Sequence, residues 1–124
     1  MLANIDVAAT VAVKDLDIAR RFYGETLGLK STEDNEAVLV FQSGGSSLVV
    51  YASEFAGTNR ATSATWGAGE AFAGIVEALQ KAGVRFEHYD MPGAKRDGDI
   101  HAFGDFRMIW FKDPDGNILH INNG

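Results

Sequence analysis

The chain lacks cysteine, has only two prolines among its 124 residues and contains no long apolar run. Without cysteine it cannot form a disulfide, a thiolate metal site or a cysteine nucleophile. No segment reaches the roughly 18 consecutive apolar residues that a membrane helix needs. The first residues, Met1 to Asp6, show no basic stretch leading into an apolar one. We therefore expect a protein of the cytoplasm with no membrane partner.

Basic residues are also scarce in this chain. Its 11 Lys and Arg against 17 Asp and Glu give a formal net charge of -6 and a pI near 4.9. Binding to nucleic acid needs a clustered basic face, and no such cluster is visible, so we expect no nucleic-acid partner. With 46% hydrophobic residues, the chain can bury the core of one compact unit. We predict a single domain over residues 1–124.

The sequence contains a weak internal duplication. Each half reads as an apolar strand, an amphipathic helix closed by glycine, and two or three further strands. Gly28 corresponds to Gly83, 55 positions later, while Phe41 corresponds to Phe111, 70 positions later. The second offset places Val50 opposite His120. This pattern predicts two similar modules, at about 1–55 and 61–124.

The first module begins with an alternating strand. From Ile5 to Val13 the odd positions are apolar and the even positions are small or polar, which is the period of a strand. Asp15 and Asp17 suit the start of a helix, and Gly28 its end. The predicted buried stripe of this helix is Ile18, Phe22 and Tyr23. Two strands, Ala37 to Gln42 and Ser47 to Ala52, then form a hairpin.

The second module repeats this order. Ala61 to Trp66 is a predicted strand, and the helix after it ends at Gly83. The predicted apolar stripe of that helix is Phe72, Ile75, Val76 and Leu79. The predicted strands that follow are Val84 to Tyr89, Phe106 to Phe111 and Asn117 to Asn122. The polar segment from Asp90 to Asp99 is a predicted loop and a candidate lid over a binding cavity.

Four segments carry a family resemblance: Val11–Asp17, Arg21–Tyr23, Leu27–Leu29 and Trp110–Asn117. Together they resemble the glyoxalase, bleomycin-resistance and extradiol-dioxygenase superfamily, also called the vicinal oxygen chelate proteins. The resemblance implies an α+β fold of two βαβββ modules, with curved mixed sheets around a cavity, and a homodimer. It extends over nearly the whole chain.

The most specific of these segments contains the turn Asp113-Pro114-Asp115-Gly116. We expect its role to be structural. Pro114 has the fixed φ that suits an early turn position, and Gly116 accepts the left-handed conformation.

Metal-using members of the superfamily place ligands in the first and last strands of each module. The family spacing and the internal offset put these positions at Ala8, Val50, Ala64 and His120. Three of them carry no donor atom, whereas a divalent transition metal normally needs three or four nitrogen or oxygen donors. We therefore expect no metal and no other cofactor.

The chain has three histidines, His88, His101 and His120. An unusual metal site that joins His101 to His120 is one possibility, but their spacing matches no ligand motif, and ordinary polar or packing roles are the simpler interpretation. For His120 contact with a bound molecule is equally plausible. There it would act as a hydrogen-bond partner or a catalytic general base, because the ordinary pKa of histidine lies near 6.5.

Strand alternation then predicts which side chains share a cavity with His120. Small residues leave volume there, and aromatic rings offer flat faces to a planar ligand. The predicted ligand-binding cavity consists of Ala8, Thr10, Val50, Ala64, Trp66, Trp110, Ile118 and His120. For Trp110, packing in the core or a dimer interface is an equal alternative.

Four cations lie in or beside predicted loops: Arg60, Lys95, Arg96 and Arg107. They would attract an anionic ligand, although solvated surface charges are the simpler interpretation.

Two functions of different classes fit this sequence. The first is a metal-free protein that binds a small apolar or aromatic molecule. The second is an enzyme of the lyase, isomerase or dioxygenase kind with a non-standard site around His120. A protein-interaction module would instead need a large exposed apolar patch. We favour the first, because an enzyme needs a second catalytic group near His120 and the sequence identifies none.

Overall fold

The computed structural model describes all residues from 1 to 124 and shows an α+β protein with two βαβββ modules. This confirms the predicted fold class. The strands are β1 (Ala9–Val13), β2 (Lys30–Asp34), β3 (Val38–Ser43), β4 (Ser46–Ala52), β5 (Thr62–Gly67), β6 (Phe86–Glu87), β7 (Lys95–Asp97), β8 (Ile100–Phe103), β9 (Phe106–Lys112) and β10 (Ile118–Asn122). The helices are α1 (Leu16–Arg21), which continues into a π-helical turn (Phe22–Thr26), and α2 (Phe72–Lys81), which follows a 3-10 turn (Gly69–Ala71). Neither helix is long and apolar enough to cross a membrane.

The two modules share one arrangement of four strands, and the second module has an additional hairpin of β7 and β8. The sheet of the first module has the order β1-β4-β3-β2, and that of the second has the order β5-β10-β9-β8-β7, with β6 also pairing with β9. In each module the first strand lies parallel to the last strand, while all other pairs are antiparallel. The strands β1 and β5 lie close together, so the two sheets meet within one chain.

Each sheet has an inner face, packed against the helices and the other module, and an outer face. The two faces follow from strand alternation and from burial. The inner face includes Val11, Val13, Leu39, Phe41, Leu48, Val50, Ala64, Trp66, Ile109, Phe111, Leu119 and Ile121, which form one core with buried side chains of both helices. The outer face includes Thr10, Ala12, Val49, Tyr51, Thr65, Met108, Trp110, Ile118, His120 and Asn122.

The first helix begins as predicted. The Asp15 carboxylate accepts hydrogen bonds from the backbone N–H groups of Asp17 (2.8 Å) and Ile18 (3.2 Å), which satisfies donors that the helix leaves free. The predicted buried stripe is wrong for Ile18, which is 40% exposed. Ala19 and Tyr23, four residues apart and therefore on one helix face, are the buried positions.

The first strand is shorter than predicted. It begins at Ala9, and Ile5 and Val7 are 65% and 89% exposed. Pairing with β4 begins only at Ala9, opposite Leu48; the first two residues of β4, Ser46 and Ser47, pair with β3 alone. Alternation alone could not show where the partner begins.

Three strands were not predicted. The strand β2 is exposed at every residue, so it carries no apolar alternation. The strand β7 lies inside the predicted loop from Asp90 to Asp99 and pairs with β8, the third unpredicted strand. Only the first part of that loop is therefore free of strand pairing. In the second helix Phe72, Val76 and Leu79 are buried as predicted.

A buried hydrogen-bond network around Asp113 joins the two modules. Its carboxylate is 4% exposed and accepts from the Tyr23 hydroxyl at 2.6 Å. It also accepts from the backbone N–H groups of Asp115 and Asn117 and from the Asn117 side chain, at 2.7 to 2.9 Å. Burial, with the Asp113 charge next, raises the pKa of Tyr23, which therefore stays a hydrogen-bond donor. With Gly116 at a φ of 90°, the turn has the geometry expected of it.

Candidate functional site

The structure divides the predicted cavity residues between two surfaces. Thr10, Trp110, Ile118 and His120 lie on the outer face, and Ala8 directly precedes β1. The other three, Val50, Ala64 and Trp66, lie on the inner face within or against the core. The predicted cavity is therefore not one continuous surface. A shift of one residue reverses the face of a strand side chain. The module offset that placed Val50 and the family spacing that placed Ala64 were each wrong by that amount.

Strand pairing shows which residues should replace the misplaced ones. Val50 lies opposite Val11, and both point into the core, so the outer face of β4 is made by Val49 and Tyr51. In β5 the residue opposite His120 is Thr65 rather than Ala64, which lies opposite Leu119. The sequence carried a signal for this, because Ser63 and Thr65 are polar where Ala64 and Trp66 are not.

His120 is half-buried on the outer face and uses both ring nitrogens. Its Nδ1 donates to the carbonyl oxygen of Ile109 at 3.0 Å, and its Nε2 lies 3.2 Å from the Asn122 side-chain nitrogen. The Asn122 oxygen accepts from the backbone N–H of Gly124 at 3.0 Å, which orients the amide so that its NH₂ group donates to Nε2. These bonds assign a neutral imidazole with its proton on Nδ1.

The surroundings of His120 favour that neutral form. Trp110 stacks on the imidazole with ring centres 4.4 Å apart and planes at 25°. Burial lowers the pKa of His120, while its bond to the Ile109 carbonyl acts in the opposite direction. Because the one lone pair of the ring is already hydrogen-bonded, His120 could act as a base only after Asn122 moves away.

The donor atoms on this face do not fit a divalent metal ion. No group of three or more His, Asp or Glu side chains in the chain is placed to hold one. His101 and His120 both contact Trp110, at 5.1 and 4.4 Å between ring centres. The indole thus lies between the two imidazoles, and the structure does not form the unusual site that would join them. Metal-free function remains a prediction.

An apolar cavity of about 220 Å³ lies between the modules on the inner side. Its lining consists of Leu27, Leu29, Ser43, Trp66, Gly67, Ala68, Ile75, Leu79, Phe111 and Ile121. Across the modules, Trp66 Nε1 donates to the Ser43 hydroxyl at 2.8 Å. The indole N–H is therefore satisfied by the protein, and the rest of the lining is almost entirely apolar. Sequence reasoning found only Trp66, because the other residues come from separate segments and look like ordinary core.

A second, polar pocket of about 660 Å³ lies beside the predicted lid. It is lined by His88, Tyr89, Asp90, Met91, Pro92, Ala94, Lys95, Arg96 and His101. Gly93 lies against Phe103, so the loop packs on β8 at the sheet edge. Closure of this segment over a ligand stays a prediction.

Comparison with known proteins places this geometry in a family. Among curated proteins none matches the chain. Lactoylglutathione lyase from Agrobacterium tumefaciens has a similar fold, with 14% identity over 98% of this chain and 95% of that chain and a TM-score of 0.72. A bleomycin-binding protein complexed with bleomycin shares 18% identity over 96% of this chain and 98% of that chain, with a TM-score of 0.72. FosX from Listeria monocytogenes, complexed with Mn(II) and sulfate ion, shares 17% identity over 100% of this chain and 92% of that chain, with a TM-score of 0.72.

At these identities the structures show a common fold alone. The family model is more specific, because it matches almost the whole chain. The model of the Glyoxalase/Bleomycin resistance protein/Dioxygenase superfamily matches residues 5–121, and the chain therefore belongs to that superfamily.

Proposed function

We propose that this protein binds a small apolar or aromatic molecule without a metal or other cofactor. The observation that carries the proposal is the cavity between the modules, which is apolar apart from the Ser43 hydroxyl. Ligand sites are typically concave and mostly apolar, with a few polar groups that orient the ligand. The Trp66 indole and the Ser43 hydroxyl supply an aromatic face and a polar group to this cavity.

The volume of the cavity suits a compact molecule. A cavity of about 220 Å³ equals roughly seven water volumes in the liquid, which suits one aromatic ring with small substituents. For about ten non-hydrogen atoms, a ligand efficiency of about 0.7 kcal/mol per atom, between the limits for very small and drug-sized ligands, corresponds to a Kd on the order of 10 μM. The cavity is partly open to solvent, so a larger molecule would extend out of it.

Two similar structures support the class of ligand. One is the bleomycin-binding protein complexed with bleomycin, and the other is FosX from Listeria monocytogenes, a fosfomycin resistance protein. Both named compounds are small molecules, and bleomycin is bound by a protein of this fold. The identity of the ligand here rests on the cavity and not on these relatives.

The enzymatic alternative around His120 has weaker support. Both ring nitrogens are hydrogen-bonded within the protein, and the neighbouring Thr65 hydroxyl is not activated by a base in the structure. Binding in the apolar cavity does not require Asn122 to move away from His120. The homodimer and the cytoplasmic location stay predictions from the sequence.

The two tryptophans allow a direct test, because they lie on opposite faces of the second sheet. In Trp110→Phe the only remaining indole lines the apolar cavity, and in Trp66→Phe it stacks on His120. We expect compounds with one aromatic ring, such as p-cresol and toluene, to cause a saturable change in Trp66 emission in Trp110→Phe. The same compounds should leave Trp110 emission unchanged in Trp66→Phe. The measurement is a fluorescence titration of both variants.

A matched pair of substitutions controls for the location. Ala68→Leu adds volume to the cavity lining and should weaken binding by about tenfold. Ala73→Leu makes the same change at an exposed position of α2 and should leave binding unchanged. Saturable changes at Trp110 alone would place the ligand on the outer face, and no saturable change in either variant would refute the proposal.

A further inference from the structure

The apolar cavity between the modules adjoins a more polar space, which we call the serine groove. The groove has a volume of about 340 Å³ and lies between the hairpin turn that joins β3 to β4 and the second half of β5. Its lining includes the exposed residues Ser47 and Thr65. Ser43, Trp66 and Gly67 line both the cavity and the groove. The two spaces therefore meet at these three residues.

Neither space has a charged wall. The residues that line the cavity and the serine groove include no Asp, Glu, Lys, Arg or His, although 23% of the chain is charged. A carboxylate or an ammonium group that enters such surroundings loses hydration and gains no opposite charge. The lining therefore favours a ligand without a charge.

Ser43 provides a hydrogen-bond donor at the place where the two spaces meet. Its hydroxyl oxygen accepts from Trp66 Nε1 at 2.8 Å. The hydroxyl of Ser46 donates to the backbone carbonyl of Ser43 at 3.0 Å, not to its side chain. A serine hydroxyl can also donate one hydrogen bond, and the Ser43 hydroxyl donates to no group of the chain. Because the residue is only half-buried, an acceptor atom of a bound molecule can satisfy this O–H group.

We propose that the ligand is an uncharged aromatic carbonyl compound. Its ring occupies the apolar cavity, its carbonyl oxygen accepts a hydrogen bond from the Ser43 hydroxyl, and its remaining substituent extends into the serine groove. A carbonyl oxygen suits this position because it has two lone pairs and no hydrogen of its own. The inference rests on the proposed function, since it assigns a chemical class to the molecule bound in the apolar cavity.

The first test compares three compounds of nearly the same shape: acetophenone, α-methylstyrene, which lacks the acceptor oxygen, and benzoate, which carries a charge. Each is titrated into ¹⁵N-labelled protein at constant ionic strength, and binding is followed by the amide signals of Gly67 and Ala68 in the cavity lining. We expect acetophenone to bind about fivefold more tightly than α-methylstyrene. Benzoate should bind at least about tenfold more weakly than acetophenone.

The outcomes separate this inference from the proposed function. Saturation by α-methylstyrene with the same affinity as acetophenone would overturn the carbonyl assignment and leave binding in the apolar cavity intact. Benzoate that binds as tightly as acetophenone would overturn the preference for an uncharged ligand. No saturation with any of the three compounds would overturn both proposals.

A pair of variants tests whether Ser43 is the donor. Removal of Ser43 alone would free the Trp66 N–H as a substitute donor, so both variants contain Trp66→Phe. Whatever the absolute affinities, Trp66→Phe should keep the fivefold preference for acetophenone over α-methylstyrene, and Ser43→Ala/Trp66→Phe should lose it. Loss of the preference already in Trp66→Phe would assign the donor to the indole and overturn the role of Ser43. Should the double variant fail to fold, the three compounds on the unchanged protein still decide the question.

A second pair of variants tests the serine groove. Valerophenone is a phenyl ketone with a four-carbon chain, which we expect to lie in the groove. Ser47→Leu adds volume to the groove lining and should weaken valerophenone binding by about fivefold while changing acetophenone binding little. Ser31→Leu makes the same change at an exposed position of β2 outside both spaces and should affect neither compound. Equal effects of the two variants on valerophenone would overturn the assignment of the substituent to the groove.

Discussion

The two tryptophans of this chain occupy contrasting surroundings on opposite faces of the same sheet. Trp66 lies on the inner face, donates its N–H to Ser43 and lines an apolar cavity. Trp110 lies on the outer face, stacks on His120 and meets His101 edge-on. The apolar cavity and the histidines that contact Trp110 thus lie on opposite sides of one sheet. Substitutions on the inner side should change stability, whereas those on the outer side should change ionisation and access.

The largest expected effect is at Asp113, whose buried hydrogen bonds join the two modules. Asp113→Ala leaves the Tyr23 hydroxyl, one side-chain N–H of Asn117 and two backbone N–H groups without their acceptor. We expect the free energy of unfolding to fall by about 4 kcal/mol, as measured by urea denaturation. Asp115→Ala in the same turn removes a carboxylate that accepts no hydrogen bond in the structure, and it should cost less than about 1 kcal/mol. Similar losses in the two variants would refute the role assigned to Asp113.

An intermediate effect tests the assignment of residues to the two faces. Because the chain has no cysteine, single substitutions give one thiol each. Val50→Cys and Ala64→Cys should react with a thiol reagent about a hundredfold more slowly than Tyr51→Cys and Thr65→Cys, since labelling of a buried thiol needs local opening. Equal reactivity of all four in urea is the control. Rapid labelling at position 50 or 64 in the folded protein would reverse the assignment.

The smallest expected effect is a pH dependence of the free energy of unfolding, which comes from His120 on the outer face. Burial lowers the pKa of His120 below its ordinary value of 6.5, so the unfolded chain takes up a proton first as the pH falls. The stability linked to this group is complete above about pH 7 and decreases as the pH falls below 6.5. Between pH 7.5 and 5.5, the wild type should lose about 0.5 kcal/mol more than His120→Gln, after allowance for solvent screening. Parallel pH profiles of unfolding would contradict this.

Local signals predicted most of the fold. The cap at Asp15, the glycines at 28 and 83 and the turn from Asp113 to Gly116 depend on nearby residues, and the structure has them as expected. Strands with little apolar pattern, such as β2, were missed because their formation depends on pairing.

The candidate site was harder to predict because it depends on a register between distant segments. At low internal identity neither the offset between the modules, which placed Val50, nor the family spacing, which placed Ala64, could be known to one residue. These errors moved both residues to the wrong face. The apolar cavity depends on contacts between helix, hairpin and strand residues far apart in the chain. No local pattern distinguishes such residues from ordinary core.

The hydrogen bond between Tyr23 and Asp113 also bears on how the duplicated halves unfold. It connects one half to the other through a buried carboxylate, and the two halves share a single core. Neither half can open without exposing the apolar surface of the other. We therefore expect one cooperative unfolding transition instead of two. The two related halves of the sequence would then form a single unit of unfolding.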